Sequence, residues 1–161
     1  MTPLPIVTGE NNPVLRKKTL KVPGTSKEIK KLIRDMEDTV LLAKGAGLAA
    51  PQVGRTERVC LALIQKKMRA LINPEITWRS PEQDSAEEGC LSLPDVWLFV
   101  TRPTAIIVDF TTISGKKSSL KLSGFDARVV QHEVDHLDGI LIVDHAAKDK
   151  NWGAHEVVNS L

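Results

Sequence analysis

Ser123-Gly124-Phe125-Asp126-Ala127-Arg128-Val129-Val130-Gln131-His132-Glu133-Val134-Asp135-His136-Leu137-Asp138-Gly139 decides how the rest of the chain is read. Ser123 and Asp126 have the spacing of a capping box at a helix start, and Gly139 stands where a C′ glycine ends one. Residues four apart on a helix share a face. His132 and His136 can therefore turn their imidazoles toward a single ion, and Glu133 beside them can reach a water on that ion. His-Glu-x-x-His on a helix is the mark of a metal-dependent hydrolase that activates water. Two histidines leave the ligand set incomplete, and the chain offers Cys90, in Glu88-Gly89-Cys90-Leu91-Ser92, as a third.

A cysteine thiolate with two neutral imidazoles makes a mixed sulfur–nitrogen set that leaves a tetrahedral position open for water. Glu133 would take that water's proton and later hand it to the leaving amine. A lone cysteine is most often a small buried hydrophobe, and Cys60 in Val59-Cys60-Leu61-Ala62-Leu63 reads that way. Cys90 differs in having Gly89 beside it and polar neighbours. Spacing alone does not bring residue 90 to residue 132.

The 161 residues suit one domain, 1–161, with a core of its own. A net charge of +2 gives no electrostatic case for nucleic-acid readout or an acidic membrane surface. Two cysteines make no disulfide framework, and no apolar run approaches the roughly 20 residues of a membrane span. Pro3, Pro5 and Gly9 interrupt the N-terminal segment, so no signal-peptide core is read there, and the expected location is cytoplasmic.

Thr25-Ser26-Lys27-Glu28 is a further capping box. Behind it Ile29, Leu32, Ile33, Met36 and Val40 recur at helical spacing, which predicts an amphipathic helix over residues 25–43. Val59–Ile64 and Ala105–Phe110 are short β-branched runs that predict strands, with 71–74 and 118–122 as further candidates. Gln65-Lys66-Lys67-Met68-Arg69 reads as a solvated loop. A helix, then several short strands, then a second helix predicts an α+β fold, not an alternating βαβ one.

Gly45-Ala46-Gly47-Leu48-Ala49-Ala50-Pro51-Gln52 allows close approach of a ligand or of another backbone, and an ordinary helix-to-strand turn explains it equally. Gln52 is either a plain surface amide or a donor to a developing oxyanion. His145 and His155 lie outside any ligand spacing, and Trp78, Trp97 and Trp152 form no stacking platform. Three readings follow. One is an amidohydrolase with Cys and two His around its metal. Another is a zinc endopeptidase whose third ligand lies among Asp144, His145, His155 and Glu156. The last is a non-enzymatic metal module, against which Glu133 argues.

The segments Gly45–Gln52, Glu88–Ser92 and Gln131–Gly139 resemble, in order, the three motifs of the peptide deformylase family, and Asn12-Pro13-Val14-Leu15-Arg16 is similar to its N-terminal segment. The resemblance spans residues 10–145. It implies short antiparallel β-sheets around a central helix that carries the metal ligands, with a second, N-terminal helix. It also implies removal of the N-formyl group from the formyl-methionine of nascent polypeptides, with release of formate. By that resemblance Cys90, His132 and His136 hold one divalent ion per chain, and Glu133 is the general acid/base. Gln52 and the Leu91 backbone N–H stabilise the oxyanion, Ala46, Gly47 and Gly89 hold the peptide extended, and Phe125 and Val129 line the methionine pocket. Fe²⁺ is the implied native ion, with Zn²⁺, Ni²⁺ or Co²⁺ as occupants of purified protein. The implied partners are N-formyl-methionyl nascent peptides and, transiently, the ribosome. Trp97 stands where many members carry Arg. Residues 146–161 lack the long basic amphipathic helix with which many bacterial members dock on the ribosome.

Overall fold

Val59-Cys60-Leu61-Ala62-Leu63-Ile64 is apolar at every position because both of its faces are covered. Successive side chains of a strand point to opposite faces. Cys60, Ala62 and Ile64 pack with one core cluster, and Val59 and Leu61 with another. The computed structural model describes residues 1–148. In chain order it contains α1 (Pro13–Arg16), α2 (Lys27–Leu42), β1 (Gly47–Ala49), a 3₁₀ turn (Ala50–Val53), β2 (Val59–Ile64), β3 (Lys67–Arg79), β4 (Gln83–Cys90), β5 (Leu93–Pro103), β6 (Ala105–Thr111), β7 (Lys117–Ser123), α3 (Gly124–Leu137) and α4 (Ile142–Lys148). A five-stranded antiparallel sheet runs β1-β2-β3-β6-β7, and β4 and β5 pair as a separate hairpin. The fold is α+β, as expected.

The sheet is the middle layer. On one face α3 buries Ala127, Val130, Val134 and Leu137 against β2, β6 and β7. On the other, α2 buries Ile29, Ile33, Met36 and Val40 against Val59, Leu61 and Ile72. Leu15 of α1, Val100 of β5 and Ile142 of α4 belong to a third cluster beside the hairpin. Helix α3, which carries His132 and His136, therefore lies between the large sheet and the β4–β5 hairpin.

Several local readings need correction. The N-cap of α2 is Ser26, whose side chain accepts from Ile29 N–H, so Thr25 is not the cap. Ser123 is the N-cap of α3 but makes no side-chain cap bond. Asp126 instead accepts from Gln65 N–H at 2.9 Å and holds the β2–β3 turn over the helix start. In the run 65–69, only Gln65 and Lys66 form the turn, both at positive φ, and β3 starts at Lys67. That is a two-residue hairpin turn made without the Asn-Gly or Asp-Gly signal that usually announces one. Pro74 is tolerated within β3 because the register shifts between Ile72 and Glu75. The Gly139 reading holds in detail. Ile140 N–H bonds to Asp135 C=O at 2.9 Å and Gly139 N–H to His136 C=O at 3.2 Å, with Gly139 at φ 75°. This is a Schellman end. A Cβ on Gly139 would also lie 2.5 Å from the Arg16 carbonyl oxygen.

Candidate metal centre and active site

His132 and His136 project from the C-terminal half of α3, four residues apart as the spacing requires, with ring centroids 5.0 Å apart. Cys90 ends β4 at a register shift that follows Gly89. The hairpin brings it to the helix, where Cys90 Sγ lies 3.2 Å from His136 Nε2. One donor atom from each of Cys90, His132 and His136 lies within 4.8 Å of the others, the only such group of three among the described residues. The alternative third ligands are occupied elsewhere. Asp144 pairs with Arg16 at 2.6 Å, and His145 with Asp135 at 2.7 Å. His155, Glu156, Trp152 and the 149–161 segment lie outside the described residues.

His132 is oriented by its neighbours. His132 Nδ1–H donates to Glu88 Oε2 at 3.0 Å, which leaves Nε2 to face the cysteine. Glu88 is gripped in turn by Arg102 Nε (2.6 Å) and Nη2 (3.0 Å), and by Arg128 Nη1 (2.8 Å). Arg102 continues to Asp135 at 2.8 Å. Burial alone would raise the Glu88 carboxyl, but its bonds from His132 and Arg102 override that and hold it well below the usual carboxylate range.

The donor set suits a cation. Burial works against charge on His132, yet its bonds to Cys90 and Glu88 and the nearby Glu133 charge push it up to about 10 as a proton site. The field here favours positive charge, which a divalent ion at the three donors would supply. His136 is held well below its ordinary value, by burial first and then by the His132 charge, so it offers the neutral imidazole a metal needs. Among the described residues, Glu133 Oε2 and His136 Nδ1 are buried without a hydrogen-bond partner. A carboxylate left unpaired beside three converging ligands is placed to take up a water's proton. Burial pushes Glu133 up to about 7, with the His132 charge opposing.

The cluster opens into a cleft of about 650 Å³ lined by the Gly45–Gly47 loop, the Glu87–Leu91 strand end, residues 93–97 and the first turns of α3. A Cβ at Gly47 would lie 2.8 Å from the Glu133 side-chain carbons, so a larger residue there would displace Glu133. Gln52 is buried, not a surface amide. Its Oε1 accepts from Ala49 N–H at 2.9 Å, which fixes the amide so that Nε2 faces Ser92 Oγ (3.2 Å) and Cys90 Sγ (3.8 Å). Leu91 lies against Gly45. The Ala46 carbonyl is committed to Leu63 N–H at 2.8 Å, while β1 remains an edge strand beside the cleft. Val129 is a buried wall of the cleft, and Phe125, 61% exposed, stands at its mouth.

Sequence reasoning assigned no role to Glu88, Arg102, Arg128, Asp135 or Ser92. Glu88 and Ser92 sit inside a motif already singled out, and a carboxylate two residues before a candidate ligand was the available signal. Arg102 and Arg128 had none, because only folding brings strand β5 and helix α3 onto the same carboxylate.

An α+β layer holding a helical His-Glu-x-x-His pair, a strand-borne cysteine and a buried carboxylate over a cleft defines a metal-dependent hydrolase. The polypeptide deformylase family model matches residues 3–152. The peptide deformylase of Treponema pallidum (strain Nichols) is 46% identical over 123 residues, 76% of each chain. The crystal structure of peptide deformylase from Thermotoga maritima superposes with a TM-score of 0.86 at 39% identity, covering 90% of this chain and 98% of that one. A class I type b peptide deformylase from Acinetobacter baumannii, solved with Met-Ala-Ser bound, superposes with a TM-score of 0.86 at 34% identity, covering 90% and 99%. The chain belongs to the peptide deformylase family. The activity that goes with this membership is hydrolysis of the N-formyl group from the formyl-methionine of nascent polypeptides, releasing formate.

Proposed function

We propose that Cys90, His132 and His136 hold one divalent ion and that Glu133 moves the protons of deformylation. The observation that carries this reading is the convergence of those three donors beside an unpaired, buried Glu133 oxygen. An ion held there by Cys90, His132 and His136 would acidify a water and polarise the formyl oxygen. Glu133 removes the proton from the attacking water and delivers it to the departing methionine nitrogen. Gln52 Nε2, aimed by the Ala49 bond, donates to the tetrahedral oxyanion together with the Leu91 backbone N–H. One such donor typically contributes roughly 3–4 kcal/mol.

The peptide lies extended between the β1 edge and the end of β4, held by backbone groups of Ala46, Gly47 and Gly89. The methionine side chain packs on Val129, with Phe125 closing the mouth. The Acinetobacter baumannii relative was solved with Met-Ala-Ser bound, which supports a methionyl peptide as the ligand. In this reading the formyl group sits between Gly47 and the cysteine strand, where an acetyl methyl would clash. Fe²⁺ is the native ion in this reading, and Zn²⁺, Ni²⁺ or Co²⁺ can take the same sulfur–nitrogen set. Because the substrate is a nascent chain, the working place is the cytoplasm beside the ribosome, with transient ribosome association.

Competition between formyl-Met-Ala-Ser and acetyl-Met-Ala-Ser, followed by mass spectrometry under anaerobic conditions, tests the reading. Loss of the formyl mass alone, with the peptide otherwise intact, is expected. Equal deacetylation, or internal cleavage, would overturn it. Metal analysis of the same sample, with activity lost in air by the Fe²⁺ form and kept by the Ni²⁺ form, tests the ion.

A further inference from the structure

Asp135 Oδ2 accepts from two donors, Arg102 Nη1 at 2.8 Å and His145 Nε2 at 2.7 Å. Arg102 directs its other nitrogens at Glu88, Nε at 2.6 Å and Nη2 at 3.0 Å, and Glu88 Oε2 holds His132 Nδ1 at 3.0 Å. An unbroken run of polar contacts therefore leads from His145 on α4, through Asp135, Arg102 and Glu88, to a candidate metal ligand. His145 fitted no ligand spacing in the sequence, and the structure gives it no place among the three donors. It stands at the far end of the chain of bonds that orients one of them.

The end of that chain is fixed in place. Asp144 Oδ2 accepts from Leu141 N–H at 2.9 Å and from Arg16 Nη1 at 2.6 Å, which ties the first turn of α4 to α1. Leu141 and Ile142 are buried in the cluster that contains Val100 of β5. The imidazole thus reaches Asp135 from a pinned backbone. Burial works to raise the Asp135 carboxyl, and the His145 bond is the largest of the influences that lower it, ahead of the Arg102 charge. His145 therefore helps keep this carboxylate ionised and turned toward Arg102.

Arg102 is buried between Glu88 and Asp135, and a guanidinium so placed takes the direction its carboxylates impose. With one donor removed from its oxygen, Asp135 is free to turn, and the Arg102 fork on Glu88 loses its third fixed point. Polar networks in a low dielectric respond as units, so the slack passes to the Glu88–His132 bond. We propose that His145 is a positioning residue for the metal centre, which by bonding Asp135 keeps Arg102 on Glu88 and His132 turned toward the ion. The proposal rests on Cys90, His132 and His136 being the ligands.

The test measures release of Zn²⁺ to a chelator from Zn²⁺-loaded wild type and the His145→Phe, His145→Ala and His145→Gln variants. Solvent exchange of the His132 Nδ1–H proton is followed by NMR on the same samples. Phenylalanine keeps a ring and removes the donor, whereas glutamine offers an amide N–H at similar reach. His145→Phe and His145→Ala should release the ion roughly tenfold faster, the low end of the effect of removing an outer partner of a ligating histidine. Both should also speed exchange of the His132 proton, and His145→Gln should bring both readouts back toward wild type. Faster release with that exchange unchanged would mean that His145 only packs α4 in place, which overturns the proposal. Release within about twofold of wild type in both donor-less variants overturns it as well, as does a His145→Gln variant no better than His145→Ala. Wild type that holds no Zn²⁺ would instead overturn the ligand set on which the proposal rests.

Discussion

Glu88 Oε2 accepts from His132 Nδ1 at 3.0 Å while both oxygens of the same carboxylate accept from Arg102. A buried carboxylate with this many partners does two jobs. It fixes the tautomer and direction of His132, a candidate metal ligand, and it ties the β4–β5 hairpin to α3. Neither job is visible from the motif that contains it.

Replacing Glu88 by Gln should therefore cost stability as well as metal affinity. It leaves the Arg102 charge buried with only Asp135 opposite, and breaking such a pair costs about 3–5 kcal/mol. The folded carboxyl is held below its ordinary value, so its contribution is complete above the unfolded value near pH 4.5 and fades as pH falls toward the folded one. Denaturant melts should show a large gap between wild type and Glu88→Gln at pH 7 that narrows below about pH 4. A gap that does not change with pH would contradict this assignment.

Glu133→Gln should retain the ion and lose most of its turnover, since glutamine is nearly the same shape but does not accept the proton. In wild type, burial pushes Glu133 up to about 7, and the base must be deprotonated to act. The kcat/KM profile should fall on the acid side as pH drops through about 7 or, with the nearby cation pulling the value down, somewhat lower. An acid limb centred above pH 8, or wild-type turnover in Glu133→Gln, would remove the base from this residue.

Cys90→Ser should change the metal itself. A hydroxyl is a much poorer soft ligand than a thiolate. Metal stoichiometry after dialysis should drop, and the Co²⁺ form should lose its sulfur-to-metal absorption. Unchanged affinity and spectrum would place Cys90 outside the ligand set.

Gly47→Ala should impair catalysis more than stability. The new methyl would meet the Glu133 side-chain carbons at about 2.8 Å, so Glu133 must shift. A fall in kcat of about 10²-fold, the usual cost of misplacing a reacting group by about 1 Å, is expected with far-UV circular dichroism unchanged. Full activity would show that the loop does not constrain the base.

Most of the helical layer was legible because its signals are local. The α2 stripe and the Gly139 end are written within one or two turns of chain, and the His-Glu-x-x-His face follows from helical spacing alone. The strands were legible where apolar runs are doubly buried, as in Val59–Ile64. β4 was not, because Gln-Asp-Ser-Ala-Glu-Glu-Gly-Cys has no strand pattern. It is a strand because β5 pairs with it and because Glu88 finds two arginines from distant segments. The capping boxes misled for a similar reason: Asp126 serves a turn 61 positions away in sequence instead of its own helix start. In the site, residue types were readable and their aiming was not. The Gln52 orientation depends on Ala49 N–H, and the His132 orientation on Glu88, both products of the fold.

The most direct test of the central claim, a three-donor metal centre served by Glu133, is an anaerobic titration of Fe²⁺ into metal-free protein with formate release from formyl-Met-Ala-Ser as the readout. Formate production should rise with added ion and break at one ion per chain, while Glu133→Gln binds the same one ion and releases almost no formate. Formate release that is independent of added ion, or a Glu133→Gln variant that keeps pace with wild type at equal metal content, would contradict the account.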